Sequence, residues 1–76
     1  GDEKAAKEKQ LADKLCRDLC CSKTMEYELR QYIRYCFIEN IDINGVVCKM
    51  YEENMMPCND KREGKKRFEQ LKSRLL

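Results

Sequence analysis

The chain has 76 residues, a formal net charge of +2, six cysteines and no histidine. This length limits it to one domain. Leu, Ile, Val and Phe make up only about a fifth of the residues, and a chain this small buries only about 60% of its unfolded surface. The core alone is therefore marginal, and we expect disulfides, a metal or a partner to support it. Without histidine, catalysis by a Ser–His or Cys–His pair is excluded, and we predict no enzymatic activity and no cofactor.

The charges are unevenly distributed along the chain. Residues 57–76 contain seven basic and three acidic residues, a net charge of +4, whereas residues 16–56 have a net charge of −2. The total charge is too small to indicate a nucleic-acid-binding protein. No apolar run approaches the ~20 residues that cross a bilayer. We therefore predict no nucleic-acid partner and no membrane span, with the basic excess at the C-terminus.

Two helices are predicted in the first half of the chain. The first runs from about residue 2 to residue 20, because Leu11, Leu15 and Leu19 recur at helical spacing on one face. The second runs from about residue 25 to residue 39 and has apolar residues at the same spacing. Either Ser22 or Thr24 can cap its first turn by accepting a backbone N–H bond.

Two further helices are predicted after the turn at residues 40–45. Asp42 or Asn44 can cap the third helix, over about residues 45–55, and Pro57 is expected to end it. Asp60 begins the fourth helix, with Glu63 in the position of a capping box. Gly64 should weaken this last helix by about 1 kcal/mol relative to alanine, so that it forms only in part.

The six cysteines favour a disulfide framework, which is the usual support of a short chain with a small core. The spacing of Cys16 and Cys20 would also fit two zinc ligands, but no second close pair or histidine completes such a site. Free intracellular thiols are the third alternative. The framework comprises six residues: Cys16, Cys20, Cys21, Cys36, Cys48 and Cys58.

Fifteen pairings of six cysteines exist, and geometry disfavours several of them. Adjacent cysteines do not easily bridge each other, and the Cβ directions of Cys16 and Cys20 do not converge on a helix. We therefore expect each of the first three cysteines to pair with one of the last three, with Cys58 joined to Cys20 or Cys21. A direct Cys36–Cys48 bridge stays open, although it requires a bridge among the first three.

The predicted fold is an all-α, small disulfide-stabilised bundle of three to four short helices. Residues 1–58 form its stapled core, and residues 59–76 form a basic amphipathic helix of the same domain. Exposed tyrosine and arginine are typical of binding surfaces, and the basic C-terminal helix could dock on an anionic surface. The candidate binding residues are Arg30, Arg34, Lys65, Lys66 and Arg67.

Two known patterns are similar to parts of this chain. The spacing of Cys48 and Cys58 is similar to one half of the twin CX9C motif of mitochondrial intermembrane-space hairpin proteins. In general character, the chain resembles the cysteine-stabilised helical peptides of arthropod venoms, such as the scoloptoxins of centipedes. This second resemblance implies a secreted, extracellular toxin built on three bridges and helices, and it assigns no residue a role.

The function we predict is binding of an extracellular membrane receptor or ion channel by a monomeric, secreted venom toxin or peptide ligand. Its basic surface would face an acidic surface of the channel and modulate it. Two alternatives belong to other classes. One is a small secreted carrier of a hydrophobic ligand, and the other is an intracellular cysteine-rich assembly or metal protein.

Overall fold

Four α-helices form the part of the chain that the computed structural model describes, which is residues 2–76. They are α1 (Asp2–Asp18), α2 (Lys23–Ile38), α3 (Ile43–Glu52) and α4 (Lys61–Leu75). No strand occurs within these residues. The all-helical prediction is therefore confirmed, including the number of helices.

The helix starts follow the capping side chains. Ser22 Oγ accepts a hydrogen bond from Met25 N at 3.1 Å and begins α2. Asp60 Oδ1 accepts one from Glu63 N at 2.8 Å and begins α4. Asp42, rather than Asn44, caps α3. A side-chain oxygen satisfies a backbone N–H that the helix itself cannot.

The first three helices end in the same way. The residue after each C-cap has a positive φ: 53° at Cys20, 57° at Asn40 and 61° at Asn54. In each case a hydrogen bond from the next backbone N–H reaches back across the turn, from Cys21 N to Cys16 O at 3.1 Å, from Ile41 N to Cys36 O at 2.8 Å and from Met55 N to Met50 O at 3.0 Å. This is the Schellman arrangement, which satisfies the last carbonyl groups of a helix.

Helix α3 differs from its prediction at both ends. It begins two residues earlier than expected, because Asp42 is the cap, and it ends at Glu52 rather than near residue 55. The left-handed conformation at Asn54 closes the helix, so Pro57 is not what ends it. A hydrogen-bonded turn ends the helix before the chain reaches Pro57.

Helix α4 is fully formed, so the expectation that Gly64 leaves it partly formed is wrong. Gly64 is buried. A Cβ added at this position would overlap the main-chain carbonyl oxygen of Leu19, at the end of α1. The glycine therefore allows two helices to approach closely, and packing outweighs its low helix propensity.

One hydrophobic cluster joins all four helices. Helices α1 and α2 pack as a hairpin, while α3 and α4 pack against each other and α3 also touches α2. Leu15, Leu29, Ile33 and Met50 are fully buried at its centre. The buried members are Ala12, Leu15, Leu19, Met25, Leu29, Ile33, Cys36, Ile43, Val47, Met50, Met56, Cys58, Phe68 and Leu71.

Candidate binding surface

The first two turns of α4 carry a cluster of exposed cations. Asp60 fixes the start of the helix, so that Lys61 and Arg62 occupy its first turn. Lys65 and Lys66 follow one turn later, and all four side chains are exposed. We call these four residues the basic patch. In the described part of the chain, no carboxylate forms an ion pair with any of them.

The basic patch opposes the local stability of its helix. The N-terminal end of a helix is the positive end of its dipole, where a cation is unfavourable by about 0.3–1 kcal/mol. Lys61 lies four residues before Lys65, and Arg62 lies four before Lys66. Like charges at this spacing repel each other by about 0.2–0.5 kcal/mol per pair. Folding alone thus gives no reason for these four charges.

A groove of about 350 Å³ lies between the start of α2 and the basic patch. Its apolar lining comes from Met25 and Phe68, and Lys61, Arg62 and Lys65 line its α4 side. We call it the α2–α4 groove. The Phe68 ring is held in place because Tyr32 packs against it edge-on, with ring centroids 6.1 Å apart. Glu28 and Glu69 also line the groove, which therefore combines an apolar surface with three cations and two carboxylates.

Only part of the predicted site lies in this patch. Lys65 and Lys66 are exposed there, as are Lys61 and Arg62, which the prediction left out. The signal for these two was available, because the Asp60–Glu63 capping box placed them at the helix start. The groove residues Met25 and Phe68 carried no such signal, since they come from helices distant in sequence.

Arg30 lies at the interface of α1 and α2 and is engaged there. Its Nη2 donates to Asp13 Oδ1 at 2.8 Å and to Glu26 Oε2 at 3.0 Å. The hydrogen bond from Arg30 lowers the pKa of the Asp13 carboxyl, and Asp13 and Glu26 together raise the pKa of Arg30. The guanidinium joins the two helices and is not a free cation.

Arg67 is also engaged, at the end of α3. Its Nε donates to the main-chain oxygen of Met55 at 3.1 Å, and its Nη1 donates to Gln70 Oε1 at 2.9 Å. It thereby satisfies a carbonyl in the connection to α4. Arg34 is exposed on α2 and lies beside α1, where it lines a groove with Ala5 and Lys9. It is therefore outside the basic patch.

The four tyrosines divide into two pairs. Tyr27 and Tyr35 are exposed on α2. Tyr32 packs on Phe68, and the Tyr51 hydroxyl donates a hydrogen bond to Asp18 Oδ2. Burial and the neighbouring carboxylate of Asp18 raise the pKa of Tyr51. Two of the four are thus structural, and two are available for contacts.

All six cysteines have free thiols in this structure. Cys20 nevertheless lies beside Cys58, since its Sγ donates to the Cys58 main-chain oxygen at 3.2 Å. Cys16 and Cys21 are neighbours across the turn that ends α1, where they hydrogen-bond to each other. The pairing of each of the first three cysteines with one of the last three stays a prediction.

Burial controls the chemistry of these thiols. It raises the pKa of Cys21 to about 12 and that of Cys58 to about 11, because the protein interior disfavours a thiolate. The pKa values of Cys16 and Cys36 are raised for the same reason. Cys48 is the only exposed cysteine in the described residues. Thiols that stay protonated near neutral pH react slowly.

No cluster of three or more potential metal-ligating side chains was found among residues 2–76. The four helices include none that is long and apolar enough to cross a membrane.

No protein-family model, curated protein or solved structure matches this chain.

Proposed function

We propose that the protein is a secreted toxin or peptide ligand that docks its basic patch on an acidic extracellular surface of a membrane protein. The target we propose is an ion channel. The helical fold would serve as a rigid scaffold that presents the charges in a fixed arrangement. Rigid presentation reduces the entropy that is lost on binding.

One observation carries this proposal: the four cations of the basic patch have no ion-pair partner in the described residues. Other cations of the described residues also lack an ion pair, and only Lys9, Arg30, Lys72 and Arg74 form one. The basic patch differs from them because its four exposed cations lie close together in the first two turns of one helix. A cluster of one sign raises the local concentration of opposite charge and speeds association. An acidic partner surface would relieve the repulsion within the patch.

The α2–α4 groove supports a more specific contact. An acidic side chain of the target could meet Lys65 while an adjacent apolar side chain enters the groove against Met25 and Phe68. Binding energy usually concentrates where an apolar anchor enters a pocket surrounded by polar contacts. We therefore expect the target segment to contain an acidic residue next to an apolar one.

The proposal includes an oxidised scaffold, and the neighbouring cysteines support it. In an oxidising compartment, the Cys20 and Cys58 thiols would lose two protons and two electrons to a disulfide oxidant such as oxidised glutathione, which is reduced to two thiols. The bridge would join α1 to the segment before α4. A loop of this length makes such a bridge worth about 3–4 kcal/mol.

Current recordings on cells that express single types of voltage-gated channel would test the docking surface. We expect wild-type protein to change the current of at least one channel type. The variant Lys65→Glu/Lys66→Glu should be about tenfold less potent or worse. Lys4→Glu/Lys7→Glu is the matched control, since it changes the net charge equally on α1. Equal loss in both variants, or no effect of wild-type protein on any channel, would contradict the proposal.

Intact mass before and after reduction would test the scaffold independently. We expect natively produced protein to resist alkylation until it is reduced, and a digest to contain a peptide pair linked through Cys20 and Cys58. A Cys48→Ser variant controls for bridges between molecules through the exposed thiol. Six thiols that react without reduction would refute the oxidised scaffold and favour the intracellular alternative.

A further inference from the structure

The outer side of α2 carries the large exposed apolar side chains of the molecule. Tyr27, Tyr35 and Ile38 are 60%, 53% and 62% exposed, and the terminal Leu76 is the one other large hydrophobic residue with such exposure in the described residues. Their spacing of eight and three residues places them on one side of a helix. We call this surface the α2 face; it comprises Thr24, Tyr27, Glu28, Gln31, Arg34, Tyr35 and Ile38.

The charges of the α2 face differ from those of the basic patch. Glu28 and Arg34 give the face a net charge of zero. Neither side chain forms an ion pair within the described residues. Tyrosine and arginine are enriched at protein interfaces, where they contribute most of the binding energy. A neutral face with unpaired charges of both signs matches a partner that is also neutral and mixed.

We propose that this partner is a second copy of the chain, packed antiparallel on the α2 face about a two-fold axis beside Gln31. In such a pair, the side chains along one long edge of the α2 face contact the same edge of the other copy. Because the two helices run in opposite directions, an early residue of one copy contacts a late residue of the other. Positions 27 and 34 lie on one flank of Gln31, and positions 28 and 35 lie on the other. Antiparallel packing also opposes the two helix dipoles.

This arrangement makes the α2 face complementary to itself. Arg34 of one copy lies over the Tyr27 ring of the other, which is a favourable cation–π contact. The Tyr35 hydroxyl of one copy meets the Glu28 carboxylate of the other and can donate to it. At the ends of the pair, Ile38 packs on the methyl group of Thr24. Each contact occurs twice, because the interface is two-fold symmetric.

The size of the face sets the expected affinity. Helix α2 has 16 residues, which corresponds to a length of about 24 Å. Two helices of this length bury less area than the ~1,600 Å² of a standard interface, so a reversible dimer with a dissociation constant in the micromolar range is expected. The inference departs from the predicted monomer, and it does not depend on the proposed target of the basic patch.

Sedimentation velocity over a micromolar to millimolar concentration series tests the dimer, with reducing agent present so that Cys48 cannot link two molecules. A dilution series of amide NMR spectra then locates the interface. We expect a monomer–dimer equilibrium and concentration-dependent shifts that are largest at Tyr27, Gln31 and Ile38. A monomer throughout the series, or shifts confined to another helix, would overturn the inference.

Two matched variants decide whether the α2 face is responsible. Ile38→Glu should weaken dimerisation at least about tenfold, because it places a carboxylate in the apolar end of the interface. Leu76→Glu makes the same kind of change at an exposed aliphatic residue outside the face, and it should leave dimerisation unchanged. Both positions are exposed, so both variants should fold, which circular dichroism will verify. Equal dimerisation of Ile38→Glu and wild-type protein would refute the α2 face as the interface.

Discussion

Reversing the charges of Lys61 and Arg62 should make the protein more stable and less active. In the variant Lys61→Glu/Arg62→Glu, two cations at the positive end of the α4 dipole become anions. Each change removes an unfavourable interaction with the dipole and adds a favourable one of about 0.3–1 kcal/mol. Each also converts an i,i+4 repulsion with Lys65 or Lys66 into an attraction of about 0.2–0.5 kcal/mol.

The favourable interactions that are added amount to about 1–3 kcal/mol, and removal of the unfavourable ones makes this a lower bound on the increase in the free energy of unfolding. In a domain of this size, 1 kcal/mol corresponds to a rise of about 4–8 °C in the melting temperature. The net charge changes from +2 to −2, since each reversal removes two units from the wild-type value. An acidic partner surface should repel the altered patch, and potency should fall by about tenfold or more.

Thermal unfolding followed by circular dichroism at low salt measures the first effect, and current recordings measure the second. The stability gain should shrink at high salt, because ions screen exposed charges. Lys4→Glu/Lys7→Glu is again the control for net charge in the current recordings. A variant less stable than wild-type protein would refute the reasoning about the helix start. A variant that is more stable but equally potent would remove the basic patch as the binding site.

Three further outcomes are expected. Gly64→Ala should destabilise the protein by about 1–3 kcal/mol in urea unfolding, because its Cβ overlaps a main-chain carbonyl. Gly45→Ala is the comparison and should cost at most the loss of one helix cap, about 0.5–2 kcal/mol, since its Cβ meets the side chain of Asp42 rather than a main-chain atom. A stabilising Gly64→Ala would contradict the close helix approach. Under reducing conditions, Cys48 should react with iodoacetamide first and the buried Cys36 last, as peptide mapping by mass spectrometry will show. Reduced protein should lose stability between about pH 9 and pH 12, because burial raises the pKa of Cys21 from 9.0 in the unfolded chain to about 12 in the folded one. The protonated thiol therefore contributes its full stability below the pKa of the unfolded chain, and this contribution is lost as the pH rises towards the folded pKa. A free energy of unfolding that is constant over this range would refute the burial of Cys21.

The helices and their caps were accessible from sequence because their causes are local. The repeat of Leu11, Leu15 and Leu19 sets the buried side of α1, and a single hydrogen bond within four residues makes Ser22 a cap. The same locality explains the errors in α3. Asp42 and Asn44 were equal candidates for its cap. No sequence pattern marks the left-handed turn at Asn54 as the end of the helix as clearly as Pro57 marks one.

The candidate site was predicted only in part, because exposure of a charge depends on what packs beside it. Arg30 and Lys65 look alike as basic residues on amphipathic helices. Arg30 meets Asp13 because α1 and α2 form a hairpin, whereas Lys65 projects where no carboxylate pairs with it. The proximity of Cys20 and Cys58 likewise depends on the path of the chain between α3 and α4.

The sequence by itself determined four helices, the cap of α4 and a C-terminal excess of positive charge, since these depend on residues within a few positions of one another. Tertiary structure decided the role of Gly64. Its low helix propensity predicts a weak helix, but packing against Leu19 leaves no room for a Cβ at this position. Tertiary structure also decided which cations are engaged and which are free. The physical reason is the same in both cases: contacts between residues distant in sequence arise only when the helices pack.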